Sequence, residues 1–342
     1  MSLLSQPLIS YAEVSTSLPC HKALWLAKTS SEWKQIYLSQ NREDNNPIPS
    51  IRSCMDDITP IFEHQAMVDV DMSLLLVIAA VWPLIWQFRE MKSVARFRTS
   101  LDSRHSLSTM NARQHEVQQI LQHIQMSSAE WHGKIQPTAE LLEEQCLMHL
   151  HASLEDVQLL AGREGEEEAR RVFPTLTAWV ESTDARQALV HAGQVIRASR
   201  DYQKLMLREA AAVAVYHASL VFWAYAVLSR NNGVDGAQSA ALTASGTKAA
   251  VYVRLDDEPG PEVQRFVMFG KGVPCIGRKT ESQSKDGFRD VPIKDVGGIM
   301  NTITRLLHVQ HEGDDNSCPP LLANLSKLMQ SLGKAAVKKK HR

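Results

Sequence analysis

The sequence predicts an all-α fold, a multi-helix bundle with at most one short strand pair, and three features carry that expectation. Residues 182–230 read as two helices in succession, the second apolar on almost every face, as a helix at the centre of a packed protein must be. Residues 72–86 form a second apolar run with the length of a buried helix. Helix start and stop signals recur through the rest of the chain, whereas only residues 250–255 have the composition of a strand.

In chain order, Pro19 suits a helix start, and Leu24, Trp25 and Ala27 are expected to face inward. Thr29 and Glu32 have the spacing of a capping box for a helix with Trp33, Ile36 and Tyr37 on one side. Residues 41–50 are polar, carry two prolines and read as a loop. The run from Met72 to Trp86 falls short of the ~20 apolar residues that span a bilayer, and Pro83 inside it predicts a buried, kinked helix. Residues 98–110 are rich in Ser and Arg and read as a solvated connection, with helical patterning resuming over 112–125. Thr138 is placed to cap a long segment in which Leu142, Cys146, His149, Ser153, Val157 and Leu160 share a face and Gly162 is the stop. Glu166 and Glu167 can pair with Arg170 and Arg171 on a solvated face, and Pro174 restarts the chain.

Ser182 or Thr183 then caps a helix whose dipole is met by Asp184 and whose apolar set is Ala185, Leu189, Ala192 and Ile196. A polar break over 199–203 leads into the apolar core segment, 205–228. A Gly, Ala and Ser-rich linker is expected near 231–248. Pro261 opens a short helix with Val263, Phe266, Val267 and Gly270 at helical spacing. Asp295 caps another, with Val296, Ile299, Met300, Ile303, Leu306 and Leu307 inward. Pro319 and Pro320 introduce the last, with Leu321, Leu325, Leu328 and Leu332 inward and Gly333 as its end.

The balance of 37 Lys and Arg against 38 Asp and Glu argues against a protein that coats nucleic acid, which needs a local surplus of cations to displace counterions. Cys20, Cys54, Cys146, Cys275 and Cys318 are dispersed without a paired spacing, which reads as reduced thiols in the cytosol or nucleus and leaves no zinc-finger ligand set. The first residues lack the pattern of a secretory signal.

Candidate chemical sites are weak. Residues 272–280 approach a phosphate-binding loop, but Arg278 is one residue too many and Pro274 removes an amide, so a surface turn is the plainer reading. His149 with His151, and His191 with His217, sit in apolar helices where hydrogen-bonded core histidines are the commoner outcome. Asp56 and Asp57, and Asp256, Asp257 and Glu258, resemble the magnesium-holding pairs of helical terpene cyclases, but no acidic residue stands at the next turn, and caps or turns account for them. No nucleophile elbow occurs. No catalytic, cofactor-binding or metal residue is assigned. The basic run Lys338, Lys339, Lys340, His341 and Arg342 reads equally as a nuclear localisation patch or a solvated tail.

Five stretches carry something more specific: SYAEVSTSLPCHKALWLAKTSSEWK, MHLHASLEDVQLLAGREGEEEARRV, WVESTDARQALVHAGQVIRASR, AVYHASLVFWAYAVL and PPLLANLSKLMQSLGKAA. In this order they resemble the regulatory region (the middle homology region) of fungal zinc-finger transcription factors, including its Leu-Pro, Leu-Trp and Glu-Trp pairs at Leu18, Leu24 and Glu32. The resemblance implies an all-α regulatory fold, a nuclear location and a role in RNA polymerase II transcription. It divides the chain into residues 1–100, a partial regulatory domain lacking its opening helices, residues 111–336, the remainder, and a basic tail at 337–342. The family binds DNA through zinc-bound modules that this chain lacks, so DNA and zinc are expected only through a missing domain, and no cofactor is expected in the chain itself. Expected partners are other transcription factor subunits, coregulators or a second copy, without a membrane. Two other classes are open to the same residues: an all-α enzyme with a pocket beside His191 and His217, and a membrane-associated protein anchored from Met72 to Trp86.

Overall fold

The structure, a computed structural model, describes residues 7–8, 13–40, 48–95, 103–131, 135–203, 206–231, 251–279, 288–309 and 319–338. Most are helical, with fourteen helices and one small mixed sheet among the described residues. The chain divides into two compact units, essentially Leu3–Cys146 and Leu147–Arg342.

The first unit is organised on α5 (Val70–Ala95), preceded by α1 (Lys22–Leu26), α2 (Ser30–Ser39), α3 (Ile51–Asp56) and α4 (Thr59–Glu63) and followed by α6 (Ser103–Glu130). Leu74, Val77, Ile78, Val81, Ile85 and Phe88 of α5 are buried, and α3, α4 and α6 pack against that helix. It runs through Pro83 without interruption. The Leu-Pro-Cys stretch ahead of α1 is pinned by backbone bonds, Leu18 N–H to Pro49 O at 2.9 Å, His21 N–H to Met67 O at 2.8 Å and Asp69 N–H to Pro19 O at 3.0 Å. Leu24 is buried as expected, but Trp25 stands in solvent because the short α1 turns only one of its apolar residues inward. The segment read as a solvated connection is in part the first turns of α6, and residues 98–102 lie outside the described set.

The division falls inside α7 (Pro137–His151), between Cys146 and Leu147. The face expected to continue through Ser153 does not exist as one helix: the chain breaks there, and Ser153 caps α8 (Leu154–Leu160) by accepting the Asp156 N–H at 3.3 Å. A serine that serves its own backbone ends helices as readily as it extends them. By contrast α9 (Glu166–Glu181) passes through Pro174, which is exposed, so the carbonyl it leaves without a helical donor can meet water.

The second unit is built on α11 (Glu209–Asn231), which packs against α10 (Thr183–Arg200), α8, α9, α13 (Val296–Val309) and α14 (Pro320–Lys338). Ala218, Leu220, Val221, Phe222, Ala224, Ala226 and Leu228 are all fully buried, which is why α11 carries no polar stripe. Both Val70–Ala95 and Glu209–Arg230 are long and apolar enough to cross a membrane by length and composition; of the apolar window in the latter, 78% is buried, the mark of a core helix. The linker expected near 231–248 lies, apart from Asn231, outside the described residues.

The inward face of α14 agrees with expectation at Leu325 and departs from it at Leu321 and Leu328. Leu322, Leu325 and Met329 are buried while Leu321 and Leu328 are exposed, and the helix continues past Gly333 to Lys338. Gly333 is an approach point rather than a stop: a Cβ there would sit 3.3 Å from Met300 of α13.

The sheet exceeds the single strand pair expected. β1 (Tyr252–Arg254) runs parallel to β2 (Val273–Lys279) by way of α12 (Pro261–Phe269), and β2 pairs antiparallel with β3 (Phe288–Pro292). Within residues 272–280, read as a surface turn, Val273–Lys279 therefore form the central strand, with Pro274, Cys275, Ile276 and Gly277 buried. Pro274 is tolerated because the β2–β3 register begins at Cys275 opposite Pro292, so no β3 carbonyl awaits its missing N–H, and its own carbonyl accepts from Ile293 N at 2.9 Å.

Candidate functional site

A buried polar cluster joins the last turns of α10 to the chain just after β1. Gly193 lets α10 approach: a Cβ there would overlap the Leu255 carbonyl, so only glycine fits. At the next residue Gln194 Nε2 donates to the carbonyls of Leu255 and Asp257, both at 2.8 Å, and Gln194 Oε1 accepts from Arg197 Nε at 2.6 Å. Arg200 completes the arrangement. Its Nη2 bonds the Asp256 carboxylate and donates to Gly277 O at 2.9 Å, while its Nη1 donates to Asp256 O at 3.2 Å.

Asp256 itself is fully buried and accepts the Gly277 N–H on both oxygens at 2.9 Å, with Arg254 Nε at 3.6 Å. Two guanidinium groups and an amide thus surround one carboxylate, and the same Arg254 side chain occupies the place a Cβ of Gly277 would take. Such a constellation satisfies a buried charge and fixes geometry. Its carboxylate lone pairs are directed at the protein's own donors, which makes the cluster a structural clasp. The sequence pattern Asp-Asp-Glu-Pro-Gly disguised it as a turn, and Arg200 as a helix-end cation; the available signal was the Gly193-Gln194 pair interrupting the apolar face of α10.

The four histidines of interest form ring pairs within the second unit. His149 meets His217 edge to face, with centroids 5.3 Å apart, and His151 stacks on His191 at 5.7 Å with an angle of 8° between planes. His151 Nδ1 donates to Asp184 Oδ1 at 3.0 Å, and Trp179 Nε1 donates to the His151 carbonyl at 2.9 Å. The carboxylate on the first turn of α10 therefore meets both the helix dipole and a buried imidazole. His191 and His217 each pair with an α7 histidine rather than with one another, and no set of three His, Cys, Asp or Glu side chains among the described residues has metal-holding geometry.

Burial brings the His217 imidazole down to about 3 from its ordinary 6.5, so it is neutral across the physiological range. An unfolded chain takes up that proton near 6.5 and the folded chain only near 3; between those values the unfolded state binds more protons, and stability falls as pH falls. Thermal melts from neutral to acidic pH are expected to show this slope, and His217→Leu is expected to flatten it. An unchanged slope in that variant would assign the acid loss to other groups.

Three buried cysteines and one buried glutamate are also held in their neutral forms by their surroundings. Burial pushes the Cys146 and Cys275 thiols up to about 12 and that of Cys54 to about 11, so none offers a thiolate at neutral pH. Burial, with Glu144 and Glu140 adding to it, also holds Glu143 of α7 well above the usual carboxylate range. Of the two acidic runs, Asp57 Oδ1 accepts the Thr59 N–H at 3.0 Å, as a turn residue does, and Asp256 is the clasp described above. In the basic run, Lys338 is the last residue of α14, while Lys339, Lys340, His341 and Arg342 lie outside the described residues.

The chain is similar to "Transcription factor 1" of the fungus Elsinoe fawcettii, with 25% identity over 298 residues. The match covers 81% of this chain and 30% of that protein, so the chain spans less than a third of the length of this curated relative. No family model matches the chain, and no solved structure does.

Proposed function

We propose that this chain is a regulatory and interaction module of a fungal RNA polymerase II transcription factor, acting by contact and not by turnover. The observation that carries the reading is the ordered similarity to a fungal transcription factor across four fifths of the chain. The geometry supports it: the buried carboxylate serves a clasp, the buried histidines sit in ring pairs, and the buried thiols are protonated. On this reading the module works in the nucleus, with the run Lys338, Lys339, Lys340, His341 and Arg342 as its import signal. DNA is reached through zinc-bound modules outside this chain, and the partners are coregulators or other subunits. Its mechanism is a shift between packings that exposes or hides a partner surface.

Tethering the whole chain to an unrelated DNA-binding domain upstream of a reporter gene tests this. Reporter output is expected to move about fivefold or more in either direction, since a coupling of about 1 kcal/mol already gives that factor. A fusion that is folded, nuclear and bound at the promoter, yet leaves the reporter at the level of the bare DNA-binding domain, would overturn the reading.

A further inference from the structure

Helix α2 buries none of its residues, although it is only ten residues long. Helices shorter than about 12–15 residues are marginal in water without tertiary packing. The neighbouring α1 buries Leu24 alone, and together the two helices hold Trp25 73% exposed, Leu26 66%, Trp33 43% and Leu38 66%. Trp33 is stacked on Tyr37, with centroids 4.9 Å apart, which stiffens the aromatic surface. Large, rigid, exposed tryptophans of this kind are the side chains that anchor protein interfaces.

Charge says what would cover them. Lys22, Lys28 and Lys34 are exposed around the two helices, against Glu32 as the one carboxylate between His21 and Gln40. Glu32 is engaged in the local cap: its Oε2 accepts the Lys28 N–H at 2.9 Å while its own N–H donates to Thr29 Oγ1 at 3.1 Å. Lys22 stands three and four residues before Trp25 and Leu26 on α1, so a cation and exposed apolar side chains share that face.

We propose that the α1–α2 surface is a docking site for a short acidic amphipathic helix of a partner protein. Apolar side chains of that helix rest on Trp25, Leu26 and Trp33, and its carboxylates face Lys22, Lys28 and Lys34. A second copy of the chain fits poorly, because the same face turned on itself would set lysine against lysine. A lipid surface also fits poorly. Three lysines fall short of the clusters of about 4–8 that recognise anionic headgroups. The inference rests on surface chemistry and is independent of the transcriptional reading.

The test uses the whole chain and a fluorescein-labelled peptide of about 20 residues, Leu and Phe at i, i+3, i+4 and i+7 and Asp or Glu elsewhere, long enough to be helical when bound. Controls are the same peptide with Lys in place of its acids, and vesicles of phosphatidylserine and phosphatidylcholine. Fluorescence anisotropy is expected to show saturable, salt-weakened binding of the acidic peptide alone. Trp25→Ser and Trp33→Ser are each expected to weaken it about tenfold or more, and Lys22→Glu with Lys34→Glu to weaken it and reduce its salt dependence. Circular dichroism confirms that each variant keeps its helices. Equal binding of both peptides, no saturation, or affinity untouched by the tryptophan variants would overturn the proposal. So would tryptophan-dependent retention on vesicles in place of peptide binding, which would assign the surface to lipid.

Discussion

Asp256→Ala is expected to destabilise the folded chain by about 3 kcal/mol, the lower end of the cost of breaking a buried ion pair, because the carboxylate is buried while the Arg200 and Arg254 side chains it leaves unpaired are only partly so. The carboxylate is fully buried between Arg200 and Arg254 and caps the Gly277 N–H, so its removal strands donors on three segments at once. Equilibrium urea unfolding measures the loss. Arg200→Met is expected to be severe as well, and the double variant to cost much less than the sum of the two, because partners in one network are not additive. A loss below about 1 kcal/mol for Asp256→Ala, the ordinary scale of a single substitution, would mean that the clasp contributes little.

Phe222→Ala, at the centre of α11, is expected to cost about 3–5 kcal/mol through lost transfer free energy and the cavity left behind. Phe222 is fully buried on a helix that packs against five others. Phe269, which is exposed at the end of α12, provides the comparison. Its alanine variant is expected to fall within about 0.5 kcal/mol of the parent. Similar urea midpoints for the two would contradict the placement of α11 at the heart of the second unit.

What could be read from the sequence was the part set by apolar periodicity and caps. Ser182, Thr29 and Asp295 do cap helices, accepting the N–H groups of Ala185, Glu32 and Gly298, because a short polar side chain before an apolar pattern has little else to do. The all-round apolar composition of α11 likewise announced its burial. The inward face of α14 departs from expectation because leucines stand at two adjacent positions, 321 and 322, and the surfaces of α11 and α13 select between them. The strands β2 and β3 were missed for a different reason. Proline, glycine and charged residues hide the alternation, and the pairing is decided by partners far along the chain. The clasp was invisible in the same sense, since Arg200 and Asp256 acquire meaning only from each other.

The clasp also has a kinetic side. Its bonds from α10 to the sheet join residues 56 to 77 positions apart, so the small sheet is held in place by closures that form only once α10 exists. Topologies of that kind fold late and slowly relative to local helices. Yet closure entropy grows only with the logarithm of the enclosed length, about 0.6 kcal/mol for each doubling. Lengthening the chain between α11 and β1 would accordingly cost the fold little, about that amount for each doubling, while leaving the same fastening in place.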